Sequence, residues 1–98
     1  MSQDALDAMV AEMAEEYRAA IAADLQEMAQ GGLTMASDRG ALREIAHRHA
    51  GSAASFGFEA LGRTARAAET ALKAAPGADD ARLVAQWLSA ARETAGLG

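Results

Sequence analysis

The chain has 98 residues, 51% of them apolar but only 4% aromatic, with one proline, no cysteine and a net charge of −5. The absence of cysteine excludes disulfides and thiolate chemistry, and the acidic balance, with no basic stripe, speaks against a nucleic-acid binder. The opening MSQDALDAMVAEMAEE lacks the cationic start and apolar run of a signal peptide, and no apolar run approaches the roughly 20 residues needed to cross a bilayer.

Much of the apolar share is alanine, which suits closely approaching helices, whereas β-branched and aromatic residues favour sheets. In the first segment, Leu6, Met9, Val10, Met13, Tyr17, Ile21, Leu25 and Met28 recur at three- and four-residue steps. The spacing predicts one long amphipathic helix over 4–30, or two joined end to end, capped by Ser2 or Asp4 and ended by Gln30-Gly31-Gly32. Met9, Met13 and Met28 read as core filler, Glu12, Glu15 and Glu16 as a solvated face, and Met35 in the connector as a cover for one end of a bundle.

A second helix is expected from Asp38, interrupted at Gly57, with Leu42, Ile45, His49, Ala53 and Phe56 on its inner stripe. A third, over 58–75, places Leu61, Ala65, Ala68 and Leu72 inward. Pro76 and Gly77 break it, and Asp79 or Asp80 is placed to cap a fourth carrying Leu83, Val84, Trp87, Leu88 and Ala91, with Trp87 as anchor. Short connections between long helices predict an all-α, antiparallel up-down four-helix bundle. The expectation is a single domain over 1–98, monomeric, cytoplasmic and, from its Met start and length, free-standing.

The only two histidines lie in Ala46-His47-Arg48-His49-Ala50-Gly51. At about 100° per residue, His49 falls within about 60° of Leu42, whereas His47 falls at about 140° and Gly51 at about 180°. One histidine therefore faces the core and the other water. That divergence rules out His-x-His chelation from a helix, and no metal site is expected. Ala50, Ala54 and Arg43 flank His47 on the wheel. Glycine inside a helix costs roughly 1 kcal/mol relative to alanine, so Gly51 reads either as a concession to access, small residues leaving the imidazole open to a partner, or as a chance glycine beside a solvent-facing histidine.

His47, Gly51 and Gly57, with Asp38, Leu42 and Ala46 leading in and Leu61 and Glu69 on the next helix, resemble the histidine-containing phosphotransfer (HPt) family, whose motif is His-x-Leu-Lys-Gly with a second Gly six residues on. The spacing fits His47 and not His49, and the resemblance covers about Tyr17 to Leu72. It implies a four-helix bundle and a phosphocarrier rather than an enzyme, in a two-component phosphorelay. His47 would be the phosphoacceptor, and Arg43, Ala50, Gly51 and Ala54 its partner-facing surroundings. The implied partner is a receiver domain, of a response regulator or hybrid kinase, that brings the aspartyl phosphate, Mg²⁺ and a lysine. The chain itself needs no cofactor, and it has no phosphate-binding loop or kinase signature with which to activate ATP.

Two positions depart from the motif. His49 stands where the family has Leu and reads as a buried, hydrogen-bonded histidine. Ala50 stands where it has Lys, which leaves Arg43, one turn before His47, as the nearest cation, with Arg48 directed elsewhere. Glu44 is either the partner of the His47 Nδ1–H or a solvated surface residue, and Phe58 is either a partner contact or a cap on the core. The alternative is a non-phosphorylated module of the same fold that docks receivers or kinases, to which the loss of Lys is the pointer. A helical bundle that oligomerises through an Ala-rich face is a third reading.

Overall fold

The computed structural model describes residues 2–97, and among them it holds four α-helices and no strand. These are α1 (Gln3–Gly31), α2 (Arg39–Ala53), α3 (Glu59–Lys73) and α4 (Asp80–Thr94), with a 3-10 turn at Ala54–Phe56. The Ser2 hydroxyl accepts from the Ala5 N–H at 3.2 Å and caps α1. Gly32, at φ 61°, ends α1 by donating to the Ala29 carbonyl, and the Leu33 N–H donates to Met28. Only a residue without Cβ takes that left-handed position at little cost.

Gly57 (φ 79°) turns the chain between α2 and α3, and the Phe58 N–H donates to the Ala53 carbonyl at 3.0 Å. The two helices return antiparallel so closely that Gly62 lies against the Ala53 methyl. At the far end of this hairpin the Arg39 guanidinium takes three acceptors: Asp80 at 2.8 Å, the Ala71 carbonyl of α3 and the carbonyl of Ala74 just beyond it. Asp80 also accepts from the Gly77 N–H at 3.0 Å. That backbone bond first, and Arg39 second, hold its carboxyl below the usual carboxylate range. Asp79 takes the N-cap position of α4 without a side-chain bond, so Asp80 organises this loop.

The core is built of Ile21, Met28, Leu42, Leu61, Leu72, Val84 and Trp87 with six alanines, and Met35 packs against it from the connector. Trp87 is wholly buried, and its indole N–H donates to His49 Nδ1 at 3.0 Å. His49 in turn donates from Nε2 to Asp24 on α1 at 2.9 Å. One imidazole thereby joins α1, α2 and α4 with both ring nitrogens satisfied. Removing the tryptophan side chain would cost about 3–5 kcal/mol in packing and strand a buried acceptor, for about 1–3 kcal/mol more.

Two sequence expectations are corrected. The inner face of α2 is centred differently from the wheel: Leu42, Ala46, His49, Ala50 and Ala53 are buried, while Ile45 and Phe56 are only half-buried. A wheel weighted by large side chains overlooks alanines, yet alanines are what let α2 approach α3 this closely. In α1, Leu6, Met9, Val10 and Met13 do not enter the core but remain 42–53% exposed. At 1.5 Å per residue the 29 residues of α1 extend about 43 Å, against about 22 Å for each 15-residue helix beside it. The first half of α1 overhangs the bundle and has nothing to pack upon.

Candidate functional site

His47 stands midway along α2, and its side chain is 75% exposed. The helix that buries Ala46 and His49 turns the intervening residue outward. Its Nδ1 lies 2.8 Å from Oε2 of Glu69 on α3. A carboxylate accepts here, so Nδ1 carries the proton and the lone pair belongs to Nε2, which has no partner among the described residues. Glu69 is 18% exposed and thus held by its surroundings as well as by the bond. The arrangement presents an oriented imidazole, with Nε2 outward, to solvent.

Glu44 was the sequence candidate for the Nδ1 contact, and Glu69 makes it instead. Glu44 lines the same cleft, a space of about 380 Å³ bounded also by Arg43, Arg48, Lys73 and Glu69. Arg43 is therefore where the sequence placed it. Arg48 reaches the cleft too, but its guanidinium also faces Asp24 at 3.4 Å. Lys73, one turn beyond Glu69 on α3, is a cation that the reading of α2 alone missed.

The small residues divide. Gly51 and Ala54 are exposed, as expected of a platform. Ala50 is not: it is 5% exposed, its methyl turned towards α3. A lysine at that position would have to thread its stem out of the helix interface before reaching solvent. Ala50 and Ala54 instead border a shallow trough of about 790 Å³ along α3, floored by Gly62, Ala67, Ala71 and Ala74 and edged by Arg63 and Arg66. The trough is the larger of the two concavities, but His47 lines the smaller one beside it.

Phe58 belongs to the core's edge. Its ring and that of Phe56 stack on Tyr17 at 5.8 and 5.0 Å, and the Arg18 guanidinium covers it at 5.1 Å. The Tyr17 hydroxyl donates to the His49 carbonyl at 3.1 Å, and burial, then Asp24, push its pKa up to about 12. Among the described residues no three His, Cys, Asp or Glu side chains converge as a metal site, and no helix is long and apolar enough to cross a membrane.

A family model described as the Hpt domain matches residues 5–95. Neither a curated protein nor a solved structure matches the chain significantly. The match extends from the first turn of α1 past the end of α4, over the helices that bury His49 and turn His47 out, and on it the chain belongs to the Hpt domain family.

Proposed function

We propose that His47 is the phosphoacceptor of this Hpt domain and exchanges a phosphoryl group with the aspartyl phosphate of a receiver domain. Hpt domains take part in histidine phosphotransfer within two-component phosphorelays. The observation that carries the assignment is the 2.8 Å contact of His47 Nδ1 with Glu69 on a ring that is otherwise open to solvent.

The chemistry follows from that tautomer. Nε2 attacks phosphorus in line, the N–P bond forms as the P–O bond to the receiver's aspartate breaks, and the electron pair leaves on that carboxylate. Nδ1 keeps its proton, so no general base is needed and the ring becomes a phosphoimidazolium. Its positive charge is then held beside the Glu69 carboxylate, which stabilises the product more than the neutral ring. The step is reversible, as a carrier requires. The receiver contributes Mg²⁺ and its own lysine to neutralise the transferring oxygens. On this side Arg43 and Lys73 edge the cleft and supply the charge that the missing motif lysine would have given. Gly51, Ala54 and the trough beside them form a low surface over which the receiver seats.

The rival reading, a docking module that carries no phosphate, rests on Ala50 in the place of Lys. Two other cations in the cleft remove most of its support. Incubation with a phosphorylated receiver and Mg²⁺, followed by intact mass measurement, separates the two. The expected result is a gain of one acid-labile phosphoryl group in the wild type and none in His47→Gln. No gain in the wild type, or a gain that survives His47→Gln, would sink the assignment.

A further inference from the structure

Among the described residues, the overhanging half of α1 carries an apolar face that no other element covers. Of the five large apolar side chains left exposed among the described residues, four are Leu6, Met9, Val10 and Met13. They lie at three- and four-residue steps and so share one side of the helix. Tyr17, the next residue in that series, is where α1 meets the bundle, through its stacking on Phe56 and Phe58.

Charge is distributed as unevenly as burial. The sequence holds 14 acidic and 9 basic residues, and five of the acids (Asp4, Asp7, Glu12, Glu15 and Glu16) precede the first base, Arg18. From Tyr17 to the end nine acids meet nine bases, so the whole net charge of −5 sits on the overhang.

We infer that the first half of α1 is a docking helix for a basic amphipathic helix of another protein. An apolar stripe between acidic margins is complementary to a helix with an apolar stripe between lysines or arginines, and methionines adapt to whichever apolar side chains arrive. The same margins disfavour the other occupants. A second copy would set the acidic border of Asp7, Glu12 and Glu16 against its like, and anionic lipid meets the same repulsion. Asp24, which contacts Arg48 and His49, marks the level of His47 on α1. Val10 lies 14 residues earlier, about 21 Å along the axis. The stripe and the imidazole can therefore be engaged at once, and the inference stands independently of the reading of His47.

The probe is an 18-residue model peptide of leucine and lysine at helical spacing, with a glutamate-for-lysine counterpart. Both are followed by fluorescence anisotropy at increasing salt, against the full chain. The lysine peptide is expected to bind and the glutamate peptide not to. The double variant Val10→Gln/Met13→Gln, which changes only exposed side chains, should weaken binding at least tenfold with an unchanged melting temperature. Glu12→Gln/Glu16→Gln should weaken it less and flatten its salt dependence. Binding that ignores Val10→Gln/Met13→Gln, or that is lost instead in Ala71→Gln in the trough on α3, overturns the inference. A dimer of the chain alone that dissociates in the double variant assigns the stripe to a second copy and overturns it too. Binding to phosphatidylcholine vesicles that the double variant abolishes assigns it to lipid, with the same consequence.

Discussion

Gly51 offers a test in which fold and function should move in opposite directions. It is exposed, one turn after His47, and a Cβ built on it meets nothing within 4 Å. Packing therefore does not require glycine, and the helix is weakened by it by about 1 kcal/mol relative to alanine, most of which leucine recovers. In a domain of this size 1 kcal/mol moves the melting temperature by about 4–8 °C. Both Gly51→Ala and Gly51→Leu should thus melt a few degrees higher than the wild type, as read by far-UV circular dichroism. Transfer should not follow. The phosphorus has to come within about 3–3.5 Å of Nε2, and a misplacement of about 1 Å costs on the order of 10²-fold. A leucine beside the ring lifts the receiver by at least that much, so Gly51→Leu should slow transfer about 10²-fold, measured by rapid quench from a phosphorylated receiver. Gly51→Ala, with a single methyl, should stay within about tenfold, or about 1.4 kcal/mol. A leucine variant that transfers at the wild-type rate would refute the platform. A fall in its melting temperature would show that the glycine serves packing after all.

Three other outcomes are expected. Glu69→Gln keeps an acceptor at Nδ1 but removes the charge, and should slow phosphorylation several-fold. Glu69→Ala frees the ring and should cost up to about 10²-fold through lost orientation, with a change of His47 tautomer seen by ¹⁵N NMR; an unaltered tautomer would exclude the positioning role. Arg43→Ala and Lys73→Ala should each lower the transfer rate by no more than about tenfold, since exposed charge pairs contribute at most about 1 kcal/mol. The double variant should lose more than either; complete loss in one single variant would make that cation essential. The third outcome concerns stability against pH. Burial holds the His49 pKa below the usual imidazole value, despite Asp24. The unfolded chain therefore takes up this proton first as pH falls. The stability His49 contributes is complete above about pH 6.5 and declines below it, by up to about 1.4 kcal/mol per pH unit, until the folded-state pKa is reached. Asp80, also lowered, adds its loss only below about pH 4. A melting temperature flat from pH 7 to 5 would contradict the His49 account.

What the sequence displayed and what it withheld follow from the range of each signal. Helix type, number and punctuation are local, and Gly32, Gly57 and the Pro76-Gly77 break stand where the helices end. The opposite orientations of His47 and His49 also follow from one helix alone, because residues two apart cannot share a face. Glu69 and Lys73 depend on a second helix, so the wheel of α2 could not supply them. A signal for them was nevertheless present. In an antiparallel hairpin, residues about equally distant from the turn face one another, and Glu69 lies about as far beyond Gly57-Phe58 as His47 lies before it. Ala50 was misplaced for a different reason: burial of a methyl depends on how near the neighbouring helix comes, and hydropathy does not report distance. Leu6, Met9, Val10 and Met13 show the limit most sharply. Their spacing states that a face is to be covered, and it reads the same whether the cover lies within the chain or in another molecule. Only the unequal lengths of the helices show that α2, α3 and α4 cannot reach them, and only the charge imbalance of residues 4–16 says what can.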